Sequence, residues 1–189
     1  MRRIGILGDI GSGKTFVANN FGYPVFNADN VVAKIYKSDK KVFDQLKKIL
    51  PKFFKTFPLD KKFIVQAILE NDSNLKKIVK IVHKEVRKKM NFFLKKNKKS
   101  EIIVLDIPLL LENKINKKND ILIFVKSKKK DILKNLKKRK NYNSLIIKRF
   151  KSIQMPNKKK KEKAKFVIEN DFTKKTIKKN IKHILDKIL

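Results

Sequence analysis

Apolar residues in this chain form short unbroken runs, separated by longer stretches in which they recur every three or four positions. The runs have the length and composition of buried parallel strands. They lie at 3–7, 23–27, 102–106, 121–125 and 166–169. The stretches between them predict helices, the longest of them at 74–97. Strands that alternate with helices predict an α/β fold in which a five-stranded parallel sheet is flanked by helices.

One part of the chain predicts helices only. From about residue 37 to residue 97 the apolar positions keep a helical spacing, with breaks near Pro51 and Pro58. We therefore expect a helical insertion between the second and third strands that closes over a substrate. A later segment, at about 139–157, is expected to act as a lid. The length of 189 residues suits a single domain that carries these additions.

All five glycines lie within the first 22 residues, and three of them fall in the string from Gly8 to Thr15. This string, G-D-I-G-S-G-K-T, matches the phosphate-binding loop G-x-x-x-x-G-K-[ST]. An apolar run precedes it, and Val17 and Phe21 give the residues after it a helical spacing. Strand, loop and helix in this order predict a site for nucleotide phosphates.

The loop supplies several candidate ligands. Its backbone N–H groups would curl round the phosphates, and the helix that follows would point its positive end at them. Lys14 would reach the outer phosphates, and the hydroxyl of Thr15 would hold Mg²⁺. The residues expected to bind the nucleotide, which the family resemblance given below identifies as ATP, are Gly11, Ser12, Gly13, Lys14, Thr15 and Phe16.

Acidic residues follow two further strands. Asp29 comes after the second strand, and Asp106 ends the third. Because ligands bind at the carboxyl ends of parallel strands, we expect both on the same rim as Lys14. Asp29 is the candidate base for an alcohol proton, and either it or Asn30 is expected to cap the next helix. Asp106 is either a magnesium ligand acting through water or a structural acid, and these alternatives stay open.

The formal net charge of +34 comes from lysines that are spread through nearly every segment. Few aromatic residues are interleaved with them to stack on bases. We interpret the charge as compositional drift and expect no specific nucleic-acid partner, and we assign no role to the four lysines at 158–161. The competing hypothesis, a basic nucleic-acid-binding module, predicts tight binding to DNA or RNA with a steep salt dependence.

Arginine is scarce in this chain, with only five among 51 basic residues. Its planar guanidinium can grip a phosphate with two hydrogen bonds or stack on a base, which lysine cannot do. Arg139 and Arg149 are therefore candidates for contacts with phosphate or adenine. Arg2 and Arg3 are expected to lead into the first strand.

The absence of cysteine excludes disulfides, thiolate metal sites and a cysteine nucleophile. No apolar run approaches the ~18 residues of a membrane span, and the first residues do not have the pattern of a signal peptide. We expect a cytoplasmic enzyme with no membrane partner, either a monomer or a weak homo-oligomer.

Among proteins with a phosphate-binding loop, a regulatory GTPase matches this chain poorly. Such a protein needs D-x-x-G after the third strand, whereas Asp106 is followed by Ile107, Pro108 and Leu109. The guanine motif N-K-x-D is only approximated at 116–120, where the acid arrives one position late. A small-molecule kinase fits the length, the helical insertion and the lid.

Five strings along the chain together resemble the dephospho-coenzyme A kinase family. They are the loop at 8–15, N-A-D at 27–29, P-L-L-L-E at 108–112, Q-M-P at 154–156 and V-I-E-N at 167–170. The loop alone is common to many proteins, but the last three strings together are specific to this family. Asn27 stands where the family usually has an acid, and Lys61 stands where it commonly has arginine.

The resemblance implies a P-loop kinase fold and the last step of coenzyme A synthesis. The γ-phosphoryl group of ATP would pass, with Mg²⁺ present, to the ribose 3′-hydroxyl of dephospho-coenzyme A. The implied catalytic residues are Asp29, Lys14 and Arg139, and the implied acceptor contacts are Asp29, Lys61, His83, Pro108 and Leu109. Asn170 would either contact adenine or only cap the end of the last strand. For His83, the alternative to an acceptor contact is a structural role. Another P-loop small-molecule or nucleoside kinase is the alternative function, but it should lack the specific strings.

Overall fold

A computed structural model, which describes residues 1–139 and 142–189, contains the five-stranded sheet that the apolar runs predict. The strands are β1 (Arg2–Gly8), β2 (Val25–Asn27), β3 (Ile102–Asp106), β4 (Ile121–Lys126) and β5 (Phe166–Glu169). Their order across the sheet is β2-β3-β1-β4-β5, and every neighbouring pair is parallel. The predicted α/β fold is confirmed, and β1 lies at the centre of the sheet.

Helices connect the strands largely as predicted, but the second helix starts earlier than expected and the expected lid segment at about 139–157 contains helical residues that the sequence did not predict. The helices are α1 (Lys14–Asn19), α2 (Ala28–Ser38), α3 (Lys40–Ile49), α4 (Lys61–Glu70), α5 (Asp72–Lys96), α6 (Lys129–Lys137), α7 (Ser144–Ser152), α8 (Asn157–Glu162) and α9 (Lys174–Ile188). Because α2 begins directly after β2, Asp29 lies inside its first turn, and the predicted cap at Asp29 or Asn30 is wrong. An acid in a first turn still interacts favourably with the helix dipole. In the part of the chain that the structure describes, no helix is both long enough and apolar enough to cross a bilayer.

The chain divides into two compact units. The first comprises Met1–Asn27, Lys96–Tyr142 and Gln154–Leu189, and it contains the whole sheet with α1, α6, α8 and α9. Apolar side chains of α1 and α9 cover one face of this sheet, where Val17, Phe21, Ile177 and Ile181 pack with the isoleucines and valines of the strands. Because this buried cluster packs α1 against β1, it fixes both ends of the phosphate-binding loop that connects them.

On β1, Gly5 allows the segment after β3 to pack closely. A Cβ atom at this position would lie 2.6 Å from Cδ2 of Leu110, which is fully buried. Such a distance is far below a normal contact, so a side chain at Gly5 would force the side chains of Leu110 and Leu122 to shift within the core. The close approach of Leu110 to the backbone of β1 places the P-L-L-L-E string beside the strand that leads into the loop.

Glu112 and Lys160 form a buried ion pair that fixes this segment to α8. The ammonium of Lys160 lies 3.1 Å from Oε1 of Glu112 and donates to Oε1 of Gln154 over 3.1 Å. The same Glu112 oxygen accepts a hydrogen bond from the backbone N–H of Met155 over 2.8 Å. Lys160 is 1% exposed, so one lysine of the run at 158–161 has a structural role that the sequence did not indicate.

Replacing Lys160 by methionine should lower the free energy of unfolding by about 3 kcal/mol, because the Glu112 carboxyl group would be left in a buried site without its cation. Lys159→Met is the matched control, since Lys159 belongs to the same helix and is exposed. Urea unfolding of both variants measures the difference. Equal stability of the two variants would show that the buried pair contributes nothing.

The second unit, Ala28–Lys95 with Asn143–Ile153, consists of α2, α3, α4, α5 and α7, and all of its regular structure is helical. Leu46, Phe54, Ala67 and Leu75 are almost completely buried within it. The unit begins earlier than the insertion expected at about 37–97, because α2 belongs to it. It also takes in α7, which lies within the lid expected at about 139–157. Residues 140 and 141 of that predicted lid lie outside the described residues.

Candidate active site

In the first unit, the phosphate-binding loop runs from the end of β1 into α1. Gly11 and Gly13 have φ values of 84° and 83°, a backbone region that side chains rarely adopt. A Cβ atom at Gly13 would also approach Cε1 of Phe172 to 2.8 Å. Both backbone conformation and close packing therefore require glycine at position 13, directly before the first turn of α1.

The side chain of Lys14 folds back over this loop. Its ammonium donates to the carbonyl oxygen of Asp9 over 2.7 Å and to that of Gly8 over 3.2 Å. These carbonyl oxygens fix the cation at the mouth of the loop. A positive charge in that position, together with the N-terminus of α1, suits a bound polyphosphate.

Asp106 lies at the centre of a polar cluster at the carboxyl ends of β1, β2 and β3. Its Oδ2 accepts hydrogen bonds from the hydroxyl of Thr15 and from the amide of Asn27, each over 2.6 Å. Asn27 and Asp106 are also register partners on neighbouring strands. The carboxylate is 3% exposed, whereas Thr15 is exposed. The pair presents oxygen ligands of the kind that Mg²⁺ prefers.

The described residues contain no group of three or more His, Cys, Asp or Glu side chains that could hold a metal ion. Mg²⁺ does not require such a cage, because it is commonly bound through one or two carboxylates, substrate phosphates and water. Asp106 and Thr15 beside a phosphate-binding loop therefore fit this ion.

On the other side of β1, the ends of β4 and β5 support the loop. The amide of Asn170 donates to the carbonyl oxygen of Ser12 over 2.9 Å, and the hydroxyl of Ser127 donates to the same oxygen over 2.9 Å. A cavity of about 520 Å³ opens beside these contacts. Its lining residues are Lys126, Ser127, Lys128, Lys130, Asp131, Glu169, Asn170, Asp171 and Thr176.

The second unit contains a largely apolar cavity of about 480 Å³ with charged residues in its lining. The apolar and aromatic lining consists of Val32, Ala33, Tyr36, Leu59, Ile64, Val65, Ile68, Ile146 and Phe150. The charged residues are Asp29 and Lys37 from α2 and Lys61 from α4. Burial raises the pKa of the Tyr36 phenol to about 12, so this hydroxyl stays protonated and can donate a hydrogen bond.

Two predicted site residues thus share one cavity, whereas three others do not line it. His83 is partly buried on α5, and it is not among the described residues that line the cavity. Pro108 and Leu109 lie in the first unit, where Leu109 is buried and its carbonyl oxygen accepts from the side chain of Asn113 over 2.9 Å.

The two candidate arginines have different surroundings. Arg139 is exposed just beyond α6. Arg149 on α7 forms an ion pair with Asp72 and donates to the carbonyl oxygen of Leu69 over 3.2 Å. Arg149 thereby ties α7 to the junction of α4 and α5 within the second unit. Phe16, a predicted ATP contact, packs its ring against the apolar cluster of the sheet.

Several residues that the structure brings to these sites are not indicated by the sequence motifs. Tyr36 was detectable, because it follows Asp29 by seven positions and therefore lies on the same face of α2. Ile146 and Phe150 gave no signal, since the cavity unites segments far apart in sequence. Phe172 was missed because a phenylalanine after a strand has no special pattern.

Comparisons with known proteins agree over nearly the whole chain. The family model for dephospho-CoA kinase matches residues 2–176. The dephospho-CoA kinases of Wolbachia sp. subsp. Brugia malayi and of Wolbachia pipientis wMel are 31% and 32% identical to the chain over 190 residues, covering 98% of it and 97% of each relative.

Solved structures share the fold. A crystal structure of a Thermus thermophilus protein has a TM-score of 0.80 and 26% identity, with 100% of this chain and 98% of that chain covered. Dephospho-CoA kinase from Campylobacter jejuni has a TM-score of 0.62 and 20% identity over 99% and 97% of the two chains. Shikimate kinase from Acinetobacter baumannii has a TM-score of 0.55 at 13% identity, which shows a likeness of fold only.

Proposed function

This chain belongs to the dephospho-CoA kinase family, and on that premise we propose which of its residues carry out the reaction. Members of this family catalyse the last step of coenzyme A synthesis, with ATP as the phosphoryl donor and dephospho-coenzyme A as the acceptor. No observation favours another P-loop kinase or a nucleic-acid-binding protein.

We propose that Lys14 and the N–H groups of Gly11, Ser12 and Gly13 hold the phosphates of ATP. The observation that supports this is the ammonium of Lys14, which two loop carbonyl oxygens already fix over the loop. Phosphoryl transfer depends mainly on positioning and on charge stabilisation. The fixed cation and the loop N–H groups would supply both at the phosphates, with the N–H of Ser12 exchanging its present acceptor, the carbonyl oxygen of Asp9 at 3.2 Å, for a phosphate oxygen.

Thr15 and Asp106 are the proposed ligands of Mg²⁺, and their 2.6 Å hydrogen bond supports this assignment because both side chains already converge. When bound, the ion would neutralise charge that develops on the phosphates. Asn27 would keep Asp106 oriented, since its amide donates to the same carboxylate oxygen.

The cavity of the second unit is the proposed site for the acceptor. A largely apolar pocket with a few polar groups suits a ligand that must be oriented before it reacts. Asp29 in its lining would accept the proton of the 3′-hydroxyl, and Lys61 would contact an acceptor phosphate. His83, Pro108 and Leu109 stay weaker acceptor candidates, because they do not line this cavity.

Arg139 is the stronger of the two arginine candidates for the phosphates of ATP. It is exposed, whereas the guanidinium of Arg149 is engaged with Asp72 and Leu69. Arg149 would need to leave those partners to contact a nucleotide. The contact of Asn170 with adenine also stays a prediction. Its side-chain amide nitrogen already donates to the carbonyl oxygen of Ser12, so only its remaining hydrogen-bonding capacity could serve the base.

We also propose a cytoplasmic enzyme that is a monomer or a weak homo-oligomer and has no specific nucleic-acid partner. The spread of lysines over almost all elements of the chain supports the last point. A specific nucleic-acid site would instead concentrate charge and aromatic residues on one surface.

An ADP-release assay with a panel of acceptors tests the function. With dephospho-coenzyme A, adenosine, AMP and shikimate offered separately, dephospho-coenzyme A should be the best acceptor by a wide margin. Omitting Mg²⁺ from the same assay should abolish turnover, since the charges on ATP would lose their main counter-ion. Faster turnover with AMP than with dephospho-coenzyme A would contradict the assignment.

A further inference from the structure

Phe172 lies between β5 and α9 in a strained backbone conformation. Its φ of 64° falls in the left-handed region, where among the described non-glycine residues it is joined only by Lys114. Bulky residues avoid this region, and such strain persists only where the surrounding structure holds it in place.

Hydrogen bonds hold the loop on both sides of Phe172. The N–H of Phe172 donates to Oδ1 of Asn170 over 2.8 Å. The carboxylate of Asp171 accepts from the N–H of Thr173 over 2.9 Å and from the hydroxyl of Thr176 over 2.6 Å. The Thr176 hydroxyl in particular holds the pKa of Asp171 below its usual range, so this acceptor stays charged. These hydrogen bonds constrain the backbone on both sides of the ring.

The ring of Phe172 lies directly against the phosphate-binding loop. Its Cε1 and Cδ1 atoms lie 2.8 Å and 3.4 Å from the point that a Cβ atom of Gly13 would occupy. Gly13 immediately precedes Lys14, whose ammonium marks the proposed place of the ATP phosphates. The side chain of Phe172 is only partly buried, so part of the ring is open to a ligand.

The order of the strands shows in which direction a nucleotide leaves the loop. Thr15 and Asp106 define the metal side, toward β3, where the terminal phosphate must lie in order to react. The nucleoside end must then extend toward β4 and β5, on the other side of β1. The cavity of about 520 Å³ is on that side, and Asn170 and Asp171 from the Phe172 loop help to line it.

We propose that the ring of Phe172 forms a wall of the nucleobase site and packs against the purine of ATP. This inference rests on the proposed role of the loop in holding the ATP phosphates. An aromatic face is a good partner for any base, and it contributes binding energy without a hydrogen-bond pattern. Contact with the base also gives a reason for a strained phenylalanine at this position.

Calorimetric titrations with two ligands test the proposal, namely MgATP and magnesium tripolyphosphate, which has the phosphates but no base. Phe172→Gly removes the ring and suits the positive φ, so the loop should keep its conformation. ATP should bind to this variant about 5- to 100-fold more weakly, as expected for the loss of one stacked base. Binding of tripolyphosphate should stay as in the wild type.

A second variant gives a direct signal. The chain contains no tryptophan, so Phe172→Trp introduces a single tryptophan, whose emission can be excited selectively over that of the tyrosines. Its emission should change on addition of ATP and stay constant with tripolyphosphate. Phe92→Trp, at an exposed position of α5, is the matched control and should respond to neither ligand.

Two outcomes would overturn the proposal. Equal weakening of ATP and tripolyphosphate in Phe172→Gly would mean that the ring only shapes the loop, and unchanged ATP binding would mean that it does not touch the base. The acceptor assay tests the proposed function separately. If dephospho-coenzyme A is not phosphorylated but Phe172→Gly still loses affinity for ATP alone, the proposed function is wrong and the role of Phe172 stands.

Discussion

Replacing Asp29 by asparagine should reduce turnover by about 10²- to 10⁴-fold, the usual contribution of a general base. This corresponds to about 3–5 kcal/mol of activation free energy. Asparagine keeps the size of the side chain but cannot take the proton of the acceptor hydroxyl. The exposed Asp29 lines the cavity that we propose for the acceptor, so the loss should appear mainly in kcat. ATP affinity, measured by calorimetry, should change only modestly.

Asp44→Asn is the matched control for this experiment. Asp44 is an exposed acid on α3 in the same unit, and its replacement removes the same charge without touching the cavity. The control should keep normal turnover. Near-normal turnover of Asp29→Asn would assign the base to another residue, with Asp106 as the next candidate. Lost ATP binding would instead make Asp29 part of the metal site.

Much of the fold could be predicted because its determinants are local. Strands buried on both faces read as unbroken apolar runs, and all five runs became strands of the sheet. The start of α2 was misjudged because residues 28–30 contain good capping side chains, while the helix starts directly from the last residue of β2. Boundaries depend on such tertiary connections more than on local preference.

The conformation of the phosphate-binding loop could also be predicted, because one contiguous string supplies its glycines, its cation and its hydroxyl. The residues of the cavity in the second unit could be predicted only in part, since α2, α4 and α7 approach each other through packing that no single segment encodes. Lys160 illustrates the same limit. It is identical to its neighbours in sequence, and only the position of Glu112 makes it a buried ion-pair partner.

Replacing Lys14 by methionine should lower kcat/KM for ATP by about 10²- to 10³-fold, the cost of removing one preorganised charge-stabilising donor. Methionine preserves the length of the side chain but supplies no ammonium to the outer phosphates. The chain has 51 basic residues, so the variant keeps nearly all of the long-range attraction for an anionic substrate. Steady-state kinetics with varied ATP at saturating acceptor measure the loss.

Lys129→Met, which removes an equal charge from α6 in the same unit, separates this local effect from the overall field. Added salt should weaken ATP binding to the wild type and to both variants, because it screens the attraction of distant lysines. The ratio between Lys14→Met and the wild type should stay nearly constant with salt, since Lys14 would act at contact distance, where screening is weak. A ratio that falls toward one as salt rises would mean that Lys14 acts only through its contribution to the field. The proposed contact with the phosphates would then be wrong.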